Sequence, residues 1–489
     1  MTAATDTTAI DGRAESRLVP YLLGSLASLA VIVLYAQWTI EPHIRYDDFA
    51  FLTRSRTWND ALANLWLPMN DHAMPLSRLL AGVLMAVVPG QSLIPRAAEV
   101  QGLLAVLVGM WLVYRFVRRE FGHPWYGLVA MTLWGVTTAY YECVTWYSAS
   151  FFLCSFDTTI AALLAAQSWR LTGRPWSLAR CALFCALAPG WYAGGILAGG
   201  FAAVYLVWRD RDDPAVRSAG ARVAACAAPI LGTVLFLAVS LPRTADRIIH
   251  AEHYRGKTVF AAFDMRTGVE NTLRTLADNQ VLGAFGISHK LTVIPWPGVW
   301  AIVALEAAIA LACWRLSSKR RAMVVGAAFI LISDLLVYSA RADWSYVRTV
   351  HNWTRYHLFP HFGVVLFAVV LLQQLDRRWL SLRESGSLSG LQIAGIVALI
   401  GASLAAHVPR SSQAHFYIPE QIQMLRRVER VDAACRNAGI SAETARQALG
   451  MLQFPLSYDG DNAWEFLRGS RTPVDMSVDE ARARLQAIR

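Results

Sequence analysis

Apolar runs free of charge alternate with short basic loops and longer mixed ones through most of this chain. The run from Val19 to Trp38 is about 20 residues long, enough for a helix to cross the hydrocarbon core. Further runs cover 95–117, 125–142, 151–168, 220–241, 297–314, 322–340, 358–375 and 388–407, and each predicts a spanning helix. The run 179–208 is long enough to go in and come back out, with Pro189-Gly190 supplying the break. The run 76–89 is shorter and carries Arg78, which predicts a partial or interfacial helix. The first run is too long for a signal peptide, has no small-residue cleavage site after it, and is followed by many more spans. The expected fold is an all-α polytopic membrane bundle of about 11–13 transmembrane or partial helices.

Beyond Val408 the pattern changes to a charged, nearly balanced tail without a span. Ile418, Ile422, Leu425, Val428 and Val431 recur at three- and four-residue steps, and Ser477-Val-Asp-Glu480 has capping-box spacing before Ala481–Ile488. The expected organisation is a polar tail over 1–18, a transmembrane domain over 19–407 and a small external helical domain over 408–489.

Orientation follows from the basic loops. Arg115, Arg118 and Arg119 are followed by Arg170, Arg174 and Arg180, and then by Arg209, Arg211 and Arg217. Arg315, Lys319, Arg320 and Arg321 come next, then Arg377, Arg378 and Arg383. All five loops share one face if 76–89 does not cross and 179–208 returns. The amino terminus is then cytoplasmic, and 39–75, 143–150, 242–296, 341–357 and the tail are external. The expected location is the inner (plasma) membrane.

Composition agrees. Of 489 residues 55% are hydrophobic and 16% charged, where a soluble domain carries about 25% charged. The net charge of +10 is largely topological and gives no reason to invoke nucleic acid. The seven cysteines show no CxxC or zinc spacing; Cys154, Cys181, Cys185, Cys226 and Cys313 lie in or at the ends of apolar runs, where a thiol acts as a small hydrophobe. Asn352-Trp353-Thr354 matches a glycosylation sequon that is common by chance.

Three external segments concentrate candidate chemistry. The first holds Asp47 and Asp48 just beyond the first span, then Asn70, Asp71, His72 and Arg78. Adjacent carboxylates at a bilayer surface repel and are partly desolvated, so they usually have work to do. One suits a general base towards an acceptor hydroxyl, and its neighbour either tunes that base or helps hold a divalent cation such as Mg or Mn. The bland alternative is a solvated loop paired with Arg45 and Arg54, and Asn70-Asp71 also suits a helix cap before Pro75. The second segment, Tyr140–Ser150, carries Glu142 near a span end, while Trp146 and Tyr147 fit an interfacial aromatic belt. The third, Arg341–His361, carries Arg348, His351, Arg355 and Tyr356. Arginine presents a fixed fork of donors to phosphate oxygens, and a positive cluster on the external side runs against the orientation rule.

These segments together resemble the GT-C superfamily of membrane glycosyltransferases, closest to the branch of protein O-mannosyltransferases and their bacterial relatives. Asp47-Asp48-Phe49 follows span one as that family's acidic motif does. His72-Ala-Met-Pro75-Leu-Ser-Arg78-Leu looks like the stretch that opens its next helix, and Arg355-Tyr356-His-Leu-Phe-Pro360 like the start of a late span. The pair broken near Pro189-Gly190 is similar to the family's paired short helices. Gly190-Trp191-Tyr192 stands where many relatives carry a Lys-Glu or similar polar step. The resemblance implies a GT-C-like bundle, a polyprenyl-phosphate-linked sugar donor, an external acceptor (glycan, lipid or protein), inverting transfer and a first-loop aspartate as base. Two other classes fit the same charges: a transporter or flippase for a polyprenyl-linked sugar, and an inactive scaffold of the same fold. A transporter needs polar residues along a midplane path, for which Asp157, Glu306 and Asp334 are the few candidates.

Overall fold

The computed structural model describes residues 8–40, 48, 51–52, 54–69, 72–88, 93–210, 218–249, 263–277, 294–340, 354–376 and 388–413. Among them there is no named strand, and eight helices are long and apolar enough to cross a membrane. The chain is a multi-pass membrane protein. In order the helices are α1 (Thr8–Ile40), α2 (Trp58–Ala63), α3 (Pro75–Val87), α4 (Ile94–Phe121), α5 (Pro124–Gly135), α6 (Tyr141–Thr145), α7 (Tyr147–Thr172) and α8 (Pro175–Trp191). There follow α9 (Ala198–Val207), α10 (Ala219–Ala225), α11 (Ala227–Ile249), α12 (Met265–Thr275), α13 (Trp296–Leu316), α14 (Arg320–Ala340), α15 (Leu358–Leu375) and α16 (Gly390–Gln413). The expected tail helices lie outside the described residues, as do Asp47, Asp71, Arg348 and His351.

Two sharp reversals share one local grammar. Gly122 ends α4 at φ 81 and Gly173 ends α7 at φ 71, the left-handed region that favours glycine. Each glycine is followed by one residue and then a proline at the first position of the next helix, where its missing N–H costs nothing. His123 also caps α5 by accepting from the Trp125 N–H at 3.2 Å.

Two expected spans take another form. The run 125–142 is not one helix: α5 stops at Gly135 and α6 begins at Tyr141. Val136-Thr137-Thr138 is β-branched throughout, and the Thr137 hydroxyl accepts from the Ala139 N–H at 3.1 Å, which competes with helix hydrogen bonding. Nearly all of α5 is buried, so it fills the bundle instead of facing lipid. The second correction concerns 179–208. Pro189 lies inside α8, and the break falls at Tyr192, which is extended. Two hydroxyls explain its place. Ser155 donates to the Ala188 carbonyl at 3.0 Å and Ser77 to the Trp191 carbonyl at 2.7 Å, satisfying acceptors that the ending helix leaves free. The 3₁₀ turn Ala193–Leu197 then folds back so closely that a Cβ at Gly195 would collide with the Ala188 carbonyl. Partial helix α3 is as expected, although Arg78 is buried in the protein and does not face an interface.

Burial ranks the helices. In α7, 78% of the apolar window is buried, against 11% in α13, so α7 is central and α13 peripheral. Helices α14 and α15 cross at Gly326 and Gly363, each of which sits against the other's carbonyl, the small-residue approach typical of membrane interfaces.

The basic ends meet at one end of the bundle. Arg170 donates to the Leu206 and Trp208 carbonyls at 3.0 and 2.9 Å, tying the end of α7 to the end of α9. Arg321, at the start of α14, reaches Glu120 at the end of α4 at 2.5 Å and Asp210 after α9 at 3.1 Å. Tyr205 also donates to Glu120, at 2.5 Å. Burial, with Glu120 nearby, pushes the Asp210 carboxyl up to about 6 against the pull of Arg321. At the opposite end, Tyr35 of α1 donates to the Thr137 carbonyl at 2.7 Å, and His407 of α16 lies 3.0 Å from the Thr138 hydroxyl. The start of α1 and the start of α10 therefore share the basic end, and α16 ends at the other. Reporter fusions after Arg217 and at the carboxyl terminus are expected to give opposite sidedness; the same side for both would sink this topology.

Candidate functional site

Asp48 is fully buried, and its Oδ1 accepts the Ser148 N–H at 2.7 Å. Ser148 is the second residue of α7, whose first N–H groups have no partner within the helix. A carboxylate there satisfies one donor and meets the positive end of the helix dipole, an effect of about 0.3–1 kcal/mol. Asp48 is thus an anchored acid, not a solvated surface one.

Six residues before Ser148, Glu142 is the second residue of α6. Its Oε2 accepts from the Arg355 backbone N–H at 3.3 Å and from its Nη1 at 3.2 Å. The two side chains are 8% and 12% exposed, so water screens the pair weakly. The guanidinium also lies 4.9 Å from the Trp146 ring and 5.1 Å from that of Tyr356. Trp146 and Tyr147 therefore do not form the expected lipid-facing belt. Trp146 packs on Arg355, and Tyr147 is buried with its ring edge against Phe151, 5.0 Å between centroids.

Beside this pair opens a cleft of about 240 Å³. Its polar lining is His72, Tyr192, Ser333, Arg355 and Tyr356; Phe152, Leu336 and Phe359 are among its apolar residues. The Ser77 bond to Trp191 pins α3 to the end of α8, which sets the His72 ring 5.2 Å from that of Tyr192. Tyr192 in turn stacks on Phe152 of α7. The Ser333 hydroxyl, buried in the wall, has no hydrogen-bond partner.

Of the residues expected from sequence, His72, Arg355 and Tyr356 line one cleft and Glu142 holds the arginine. Asp48 lies next along the same corner of chain, while Arg78 is not in the cleft lining. Sequence reading missed Ser333, isolated within the apolar run 322–340. Its signal is the helical face it shares with the lining residues Leu336, Val337 and Ala340. Among the described residues no group of three or more His, Cys, Asp or Glu is placed to hold a metal ion.

No family model matches this chain, and no curated protein does.

Proposed function

We propose that this chain is a membrane glycosyltransferase of the GT-C type, moving a sugar from a polyprenyl-phosphate donor to an external acceptor with inversion. The observation that carries the reading is the corner Glu142–Ser148. At one end it holds Arg355 through Glu142, and at the other it holds Asp48 through the Ser148 N–H. Transfer from a lipid phosphate needs a base within reach of the acceptor oxygen and a cation facing the departing phosphate. In this reading the acidic pair Asp47-Asp48 supplies the base. Arg355, aligned by Glu142 and flanked by Tyr356 and His72, receives the phosphate in the cleft. Arg348 and His351 add donors from the neighbouring segment, and Asp71 lies beside His72 in sequence. The cleft end of the bundle is external and the membrane is the plasma membrane. A transporter fits less well, because Asp157 is on central α7 while Glu306 is on peripheral α13.

Radiolabelled polyprenyl-phosphate sugars supplied to membranes holding the protein are expected to give a labelled acceptor product. Arg355→Lys keeps the charge but loses the fork, so it should be impaired alongside Arg355→Ala. If the contact forms in ground and transition states alike, KM for the donor rises; if it strengthens as charge develops, kcat falls. Normal donor kinetics in both variants would remove Arg355 from the site.

A further inference from the structure

Arg78 is fully buried, and its Nε, Nη1 and Nη2 all lack a hydrogen-bond partner. This separates it from two other enclosed arginines among the described residues. Arg321 is met by Glu120 and Asp210, and Arg355 by Glu142. A guanidinium does not shed its proton, and a buried charge left without a partner is strongly destabilising. The Phe51 ring, 4.6 Å from the guanidinium carbon, offers partial compensation only.

A second unpartnered donor lies in the same part of the fold. The Tyr147 hydroxyl is buried and also has no partner. Tyr147 shares one aromatic cluster with Arg78: Phe51, under the guanidinium, lies 5.2 Å from Phe151 between centroids, and Phe151 lies 5.0 Å from Tyr147. Asp48 holds the next residue along, Ser148. Arg54 adds a second positive charge to the field at Arg78. Neither Arg78 nor Tyr147 lines the cleft that holds Arg355.

We infer that Arg78 and Tyr147 form a second anion site, distinct from the Arg355 cleft, that takes a phosphate group. The fork of Arg78 fits two phosphate oxygens, and the Tyr147 hydroxyl donates to a third. Four unpartnered donor atoms favour a tetrahedral phosphate, with its larger number of acceptor oxygens, over a carboxylate. The site lies on the first-loop side of α7, beside Asp48, so its phosphate belongs to something other than a group already bound at Arg355. The assignment stands whether or not the first-loop acids act as a base.

The test uses the full chain purified in dodecyl maltoside in phosphate-free buffer, followed by its thermal unfolding midpoint. Inorganic phosphate is added in one arm and phosphatidic acid in another, with chloride at matched ionic strength as control. One of the two phosphates is expected to raise the midpoint of the wild type and of Arg355→Met, and to raise that of Arg78→Met less than either, since only the Arg355 cleft remains there. A response to inorganic phosphate identifies a soluble source, and a response to phosphatidic acid alone identifies a lipid headgroup. Without anion, Arg78→Met should unfold at a higher temperature than the wild type, because the unpaired charge is gone. Tyr147→Phe should fold and bind phosphate roughly 10-fold more weakly, the effect of losing one hydrogen bond to a charged group; it carries the test if Arg78→Met does not accumulate. Equal phosphate responses in the wild type and these variants would overturn the site. So would a wild type that responds to neither phosphate.

Discussion

Transfer should fall by about 10²–10⁴ when the catalytic carboxylate of the first loop becomes an amide, with the protein still accumulating. The two aspartates are expected to separate under this test. Asp48 already holds the Ser148 N–H at the start of α7. Asp48→Asn keeps an oxygen for that bond and loses the interaction of its charge with the helix dipole, about 0.3–1 kcal/mol. Asp48→Ala loses the cap itself, about 1 kcal/mol or more, and should lower yield. Asp47→Asn is expected to give the larger loss of rate at unchanged yield, since its neighbour is committed to the helix. Initial rates normalised to folded protein, by size-exclusion chromatography, distinguish these outcomes. Full activity in both single variants and in the double variant would exclude the pair as the base.

Arg321→Met is expected to destabilise the bundle by about 3–5 kcal/mol, because it strands two buried carboxylates. Glu120 and Asp210 come from different parts of the chain and meet on this arginine. Adding Glu120→Gln should recover much of the loss, since a neutral amide needs no counter-charge there. A single variant as stable as the wild type would show that the junction contributes nothing. The pH dependence has a definite sign. Asp210 has a carboxyl raised to about 6 from 3.8, so the folded state holds its proton more tightly than the unfolded state. Its contribution is complete below 3.8 and is lost as pH rises through 6. Asp210→Asn should flatten the stability profile in that window.

Arg321 also shows where sequence reading stops. Along the chain it is one of several basic residues that set orientation, and at its end of the bundle it sits where that pattern expects. Nothing in the local sequence says that two acids 201 and 111 positions away converge on it. The same holds for Asp48. Its place after the first span was legible, but its partner Ser148 is 100 residues on.

The sequence by itself determined that this is a helical membrane protein, where most spans run and which loops are basic. Those properties follow from hydrocarbon thickness and from charge, both of which act on a few neighbouring residues at a time. It also marked His72, Glu142, Arg355 and Tyr356, because polar groups beside a span are costly and therefore conspicuous. Only the tertiary structure decided that α5 is a buried plug and that α8 runs through Pro189 to end at Trp191. Each depends on a partner from elsewhere: the core around α5, and the Ser155 and Ser77 hydroxyls on the last carbonyls of α8. The structure likewise decided that Arg355 has a carboxylate and Arg78 has none. A counter-ion is a matter of distance in space, and the spacing of residues along a chain does not contain it.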